Sequence, residues 1–463
     1  MATRFVPIDR DTPLLLPPNL RDWVPADHLV HFILDAVDAL DLRQVKVNMR
    51  GTGSEQYPPH LLLALLIYSY ATGTFSSRRI EQSTHDSVPV RLLTADTHPD
   101  HNTLCTFRRE NAALLTESFV QVLQLAQQLK LLKLGQLTVA ADGTKVLAHA
   151  SKHSAVSYQR AGEMIAQLEL EVLQLLAKAE QADATPLQDG LTIPEEITRR
   201  QERKAALAQA RAEIEARAQA RYAVQLAEHE TKLARRAARK ERGEKIRGKP
   251  PQAPAPTPKP GDQYNFTDPE SRIMKAGNGN HFEQNYNAQA AVEVDSRLIV
   301  GERVSQSPND KQELMPTLAA IPAEAGTLAV ALVDSGFFSE QAVIQVERAG
   351  AGPMVYAAVE KTGHHRSVAD LEKKAEPEPP AADASGSEVM RHRLKTAAGK
   401  TLYKLRQQTV EPVFGIIKSV LGFRQFRLRG RAKVALEWTL VCLAYNLKRL
   451  HRLGAGLKLA ATH

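Results

Sequence analysis

Apolar residues run without a break from Leu61 to Ile67, directly behind Pro58-Pro59, and Gly73 follows shortly after. Proline is tolerated in the first turn of a helix, where its missing N–H has no partner, so the pattern predicts a helix that Gly73 ends. A second short helix opens at Ser76 or Ser77, and a third at Asn102 or Thr103, each a good N-cap type. Residues 1–130 therefore read as helical. Their short helices, tight turns and arginine pairs (Arg78-Arg79 and Arg108-Arg109) suit a helix-turn-helix unit and an ordinary bundle alike. The period then changes. Gln136 to Val146 is β-prone and carries Asp142-Gly143, which predicts a strand with Asp142 at or near its end.

From residue 157 to 248 the chain is rich in Ala, Glu, Lys, Arg, Gln and Leu, with a break around Asp183 to Pro194, as in a hairpin of two long helices. Leu207 and Ile214, then Leu226 and Leu233, stand seven apart and suit a loose coiled-coil seam. The Pro-rich stretch 249–264 reads as a linker. Strand patterns return at Asn287–Val294 and Leu298–Val304 around an Asp295-Ser296 turn, with a helix candidate at Lys311–Ile321. Thr327–Val333 is a nearly continuous apolar run ending in Asp334, as a buried parallel strand would be, and Met354–Val359 is a further strand. The expected organisation is α/β: a core split between 131–156 and 265–361, the hairpin inserted, a flexible loop over 362–398, and helices over 399–463.

Composition narrows the partner. Lys and Arg number 60 against 52 Asp and Glu, a net charge of +8 that favours a polyanion such as nucleic acid. Two cysteines, Cys105 and Cys442, exclude a disulfide scaffold and a zinc site built on paired cysteines. The first residues lack the apolar stretch of a signal peptide, and the longest apolar run is too short to span a bilayer. A cytoplasmic protein is expected, without a membrane partner.

Asp142 and Asp334 each end a β-prone run and each is followed closely by a glycine, Gly143 and Gly336. Ligands of open α/β sheets bind beyond such strand ends, and two carboxylates there can share a hard divalent cation, although turn formation alone explains most Asp-Gly pairs. A helix beginning near Thr409, with Pro412 in its first turn, would carry Glu411 and Lys418 on one face and bury Val413, Ile416, Ile417 and Val420. Favourable placement against the helix dipole is the simpler account of Glu411. Three carboxylates around two ions would suit in-line displacement at phosphorus.

These residues resemble those of bacterial DDE insertion-sequence transposases, of the IS-eleven-eighty-two type related to the IS-four and IS-five groups. The resemblance rests on Phe5–Arg10, Tyr57–Arg109, Asp142-Gly143-Thr144-Lys145, Thr267–Met274, Tyr286-Asn287-Ala288-Gln289, Val333–Phe337 and Tyr403–Lys418. It implies a ribonuclease-H-like core, Mg²⁺ or Mn²⁺ (two ions), and Asp142, Asp334 and Glu411 as catalytic, metal-binding residues. Tyr403, Arg406 and Lys418 become contacts to the DNA backbone. Four residues separate Arg406 from Glu411 where the familiar motif has three, and His149 stands where Asn is expected. Arg78, Arg79, Arg108 and Arg109 become DNA contacts of the N-terminal helices. Arg424, Arg427 and Arg429, interleaved with Phe423 and Phe426, suit phosphate contact and base stacking. The implied partners are double-stranded element ends and target DNA, with a homodimer or higher oligomer formed through the helical hairpin. A DNA-binding protein without catalysis, or a nuclease without strand transfer, is the alternative.

Overall fold

The computed structural model describes residues 19–47, 56–133, 135–184, 193–243, 249–275, 281–347, 352–360, 376–381 and 384–454. The chain divides into two units, residues 1–147 with 286–463, and residues 148–285. The Phe5–Arg10 motif and residues 362–375 of the expected loop lie outside the described residues.

Among the described residues the first unit opens, after a 3-10 turn at Leu20–Trp23, with the α-helices α1 (Leu29–Asp38), α2 (Pro59–Ala71), α3 (Ser77–Asp86), α4 (Val88–Leu93), α5 (His101–Glu110) and α6 (Ala112–Gln128). Every residue of α2 from Leu61 to Ala71 is buried, so this helix needs no polar face, and its apolar run shows no helical period for that reason. The cap of α5 is Asp100, whose carboxylate accepts from the Thr103 N–H at 2.6 Å, and not Asn102 or Thr103. Strand β1 (Gln136–Leu147) follows.

The second unit begins with β2 (Ala155–Ser157) and the helical hairpin α7 (Tyr158–Ala184) and α8 (Ile193–Glu241). Leu207 and Ile214 are buried with Ala210, Val156, Ala161, Leu168 and Tyr264, so the first pair of the expected seam exists. The second pair does not close: Leu233 is exposed. The Pro-rich stretch is tied to α8. The His229 ring meets the Pro251 carbonyl at 3.2 Å, and Arg221 donates to Asp262 at 2.8 Å. Short β3 (Gln263–Asn265) pairs antiparallel with β2, and β4 (Arg272–Lys275) with the first half of β5 (Phe282–Glu293). Residues 265–285, expected in the core, thus pack with the hairpin unit.

Back in the first unit, β5 turns through Asp295–Arg297 into antiparallel β6 (Ile299–Ser305), with Arg297 at a φ of +59°. Then come α9 (Leu314–Ala319), β7 (Thr327–Val333), α10 (Glu340–Glu347) and β8 (Met354–Ala357). β1 and β7 run parallel, as do β7 and β8, giving the mixed sheet order β4-β5-β1-β7-β8 with β6 beside β5. The core is mixed α/β.

Two helices, α11 (Gly386–Lys395) and α12 (Ala397–Gly415), occupy ground expected as flexible loop or as the approach to a helix starting at Thr409. Ser385 and Glu388 close a capping box on α11, a signal present in the sequence. Thr396 caps α12, leaving Thr409 in mid-helix, where its hydroxyl donates to the Leu405 carbonyl. Pro412 stands inside the helix, and one wider turn, Ile416–Val420, follows. Val413 and Ile417 are buried as expected, but Val420 is exposed. The last helix, α13 (Arg431–Arg452), packs on α2, α6 and β6. Trp438 donates to the Gln289 carbonyl at 3.0 Å, and the Asn446 amide pairs with both backbone groups of Ile299. Trp438, Leu440, Cys442, Leu443 and Tyr445 are core, as their pattern implied. Among the described residues no helix is long and apolar enough to cross a membrane.

Candidate functional site

The parallel register of β1 and β7 ends at Ala141 opposite Val333, which brings the next residues, Asp142 and Asp334, to the same edge of the sheet. Asp334 lies just past the end of its strand. Asp142 does not, because β1 continues to Leu147 and the expected Asp-Gly turn is extended strand. Each carboxylate is steadied by a local backbone N–H at 2.8 Å, Gly143 to Asp142 Oδ1 and Gly336 to Asp334 Oδ1. Burial, then repulsion from Asp334, pushes Asp142 up to about 7; Arg406 and the Gly143 N–H pull the other way.

Helix α12 is fastened across both strands. The Tyr403 hydroxyl donates to the Val333 carbonyl at 3.1 Å, immediately before Asp334. Lys418, on the wider turn after α12, donates to the Lys145 carbonyl of β1 at 2.8 Å. Arg406 bridges the acidic groups, with Nη1 3.4 Å from Asp142 Oδ2 and Nη2 3.1 Å from Glu411 Oε1. Burial raises the Tyr403 phenol and lowers the Lys418 ammonium from their ordinary values. The three side chains expected on DNA are thus engaged with the protein's own strands and carboxylates. Asp142 and Glu411 are joined through Arg406, while Tyr403 and Lys418 hold the backbone beside Asp334 and beyond Asp142.

Asp142 and Asp334 offer hard oxygen donors, and their mutual repulsion is a demand that a divalent cation meets. The donor chemistry therefore fits Mg²⁺ or Mn²⁺. Glu411 is half exposed and held by Arg406, and among the described residues no three acidic, His or Cys side chains converge as a metal-binding group. Asp310, which no sequence pattern singled out, also faces Asp142 and Lys145. It sits in a polar loop without the strand-end signature that marked the other two aspartates.

The arginines expected on DNA divide. Arg78, Arg79 and Arg109 are exposed on α3 and α5, and Arg424, Arg427 and Arg429 are exposed after the wider turn. Arg108 is not available to DNA. It is buried, donating to the Tyr70 hydroxyl at 3.1 Å and to Ser77 Oγ at 3.4 Å. Tyr70 in turn donates to Glu437, whose other oxygen accepts the backbone N–H groups of Arg427 and Leu428 at 2.9 and 3.0 Å. Phe423 and Phe426 are wholly buried against each other, Tyr286 and Phe75, so they do not stack on bases. Alternation of aromatic and arginine here is an in-and-out pattern, with apolar rings inward and charge outward.

Comparison with curated proteins and with solved structures gave no match. Two segments match known families: residues 18–110 a Transposase domain (DUF772), and residues 380–451 a Transposase DDE domain. The second contains Tyr403, Arg406, Glu411 and Lys418, while Asp142 and Asp334 lie outside both. With a transposase-domain match at each end, the two segments indicate an insertion-sequence DDE transposase.

Proposed function

We propose that the protein binds the inverted ends of its element and catalyses metal-dependent cleavage and strand transfer, with Asp142, Asp334 and Glu411 as the metal-holding carboxylates of a ribonuclease-H-like core. The supporting observation is the juxtaposition of Asp142 and Asp334 on neighbouring parallel strands, with α12 fastened across them by Tyr403, Arg406 and Lys418. When bound, Mg²⁺ or Mn²⁺ at these carboxylates supplies activation of the attacking hydroxyl and charge neutralisation at phosphorus. The chain's own part is orientation. Gly143 and Gly336 aim the two aspartates, and Arg406 keeps Glu411 beside Asp142 until a phosphate competes for its guanidinium. Exposed Arg78, Arg79 and Arg109, with Arg424, Arg427 and Arg429, grip duplex phosphates. A homodimer or higher oligomer coordinates two ends, with the α7–α8 hairpin as its contact.

The test incubates purified protein and Mg²⁺ with duplex carrying the gene's own flanking sequences, beside Asp142→Ala, Asp334→Ala, Glu411→Ala and an EDTA control. Expected are discrete nicks at the element ends, lost in each variant while binding persists. Binding without metal-dependent nicking by the wild type would remove catalysis from the assignment. Nicking without joining of a pre-cut end would leave a nuclease.

A further inference from the structure

Gly143 lies on a crowded polar floor. A Cβ at this position would stand 2.2 Å from Gln289 Nε2 and 2.7 Å from both Asn287 Oδ1 and Asp310 Oδ1. Asn287 and Gln289 are wholly buried on β5, the strand beside β1. Both direct their amide N–H groups to the same oxygen, Asp310 Oδ1, at 2.7 Å. Without that acceptor two buried donors would be left unpaired, so Asp310 fixes both amides. Gln289 is further held by the Thr317 hydroxyl, and Asn287 donates also to the Ser307 carbonyl at 3.2 Å.

Asp310 itself is held by its loop. Its carbonyl accepts the Glu313 N–H at 2.9 Å, and buried Glu313 is paired with Arg303 and with Ser305 Oγ. Lys145, two residues beyond Gly143, brings its buried ammonium to 3.9 Å from Asp310 Oδ1, with no hydrogen bond of its own among the described residues. The Gly143–Lys145 backbone is thus gripped from below by this floor and by Lys418 from the wider turn after α12.

We propose that Asp310 is a positioning residue for Asp142, acting through Asn287 and Gln289 on the backbone at Gly143 and through its charge on Lys145. The inference rests on the reading of Asp142 as a catalytic metal ligand. The chain of action is short: Asp310 orients two amides, the amides set the height of Gly143, and Gly143 directs its N–H into Asp142 Oδ1. Any side chain at 143 would lift the strand off this floor, which accounts for glycine in an extended stretch that has no need of it for φ.

The experiment compares Asp310→Ala, Asp310→Asn and Gly143→Ala with the wild type in two readouts. One is nicking of the flanking-sequence duplex, resolved into kcat and KM. The other is Mn²⁺ binding to the protein alone by titration calorimetry. For Asp310→Ala, kcat falls and Mn²⁺ binding weakens, each by about tenfold or more, as loss of an outer supporting partner does, while KM stays near wild type and the thermal midpoint drops modestly with the two unpaired amides. Asp310→Asn, which keeps an acceptor oxygen for the two amides, recovers most of both, and Gly143→Ala reproduces the loss. Wild-type values for Asp310→Ala, or losses confined to KM and the thermal midpoint, overturn the inference. So does an Asp310→Asn variant as inactive and as metal-deficient as Asp142→Asn, since Asp310 would then be a ligand. If the wild type binds Mn²⁺ yet nicks nothing, the catalytic reading fails while the calorimetry still decides the role of Asp310. If it binds no Mn²⁺, both fall.

Discussion

Single buried carboxyl groups carry much of the pH sensitivity expected of this chain. Glu302 accepts from the Thr439 hydroxyl at 2.6 Å, and its other oxygen is sealed from solvent without a partner among the described residues. Burial lifts it from the ordinary 4.5 to about 7. Between those values the folded chain keeps a proton that the unfolded chain releases, so the stability from this group is greatest below the lower value and declines as pH rises towards 7. Glu302→Gln is therefore expected to stabilise the protein at pH 8, on the order of 1 to 3 kcal/mol, and to do little at pH 5. Urea titrations at the two pH values would measure this, and an equal effect at both would contradict it. At this same scale the sequence was informative where chemistry coincides with a strand end, as at Asp334. It was silent at Asp310, whose importance comes from two amides on a different strand. It was misleading at Arg108, because a buried arginine with a phenol partner has the same local spelling as one on DNA.

Among the elements, the helical hairpin separates a packed part from an unpacked one. The buried face of α8 runs through Leu207, Ala210, Ile214 and Ala218, and further along Val224 and Leu233 are exposed. Amide exchange should accordingly be slow over 205–218 and at least tenfold faster over 224–241, because opening there uncovers little apolar surface. Uniform protection along α8 would mean that the Pro-rich stretch, tied to it at His229, covers the far half as firmly as α7 covers the near half. The hairpin and the sheet strands were readable because their periods persist over many residues. The start of α12 was not, since Thr409 and Pro412 spell a helix start where a helix already runs, and the actual cap, Thr396, stands in a stretch read as loop. Tertiary fastening by Tyr403 and Lys418, with burial of Val410, Val413 and Phe414, works against the cost of an interior proline, about 3 kcal/mol in an exposed helix.

At the scale of the whole molecule, the segments matching transposase families lie at opposite ends of the sequence, yet Tyr70 and Arg108 of one meet Glu437 of the other in the buried interior. Glu437→Ala would leave the Tyr70 hydroxyl and two backbone N–H groups without their acceptor and remove the carboxylate charge that offsets Arg108, an expected loss of roughly 3–5 kcal/mol. Glu437→Gln would lose less. Chemical denaturation would measure both, and a change under 1 kcal/mol for the alanine variant would show that the network relaxes without cost. This linkage also bears on how copies of the gene decay. A copy that loses its last few dozen codons does not become a shorter DNA-binding protein made of the front half. Its front half would carry the Arg108 cation without the Glu437 carboxylate of the final helix, and such a chain is expected to be degraded more readily than the full one.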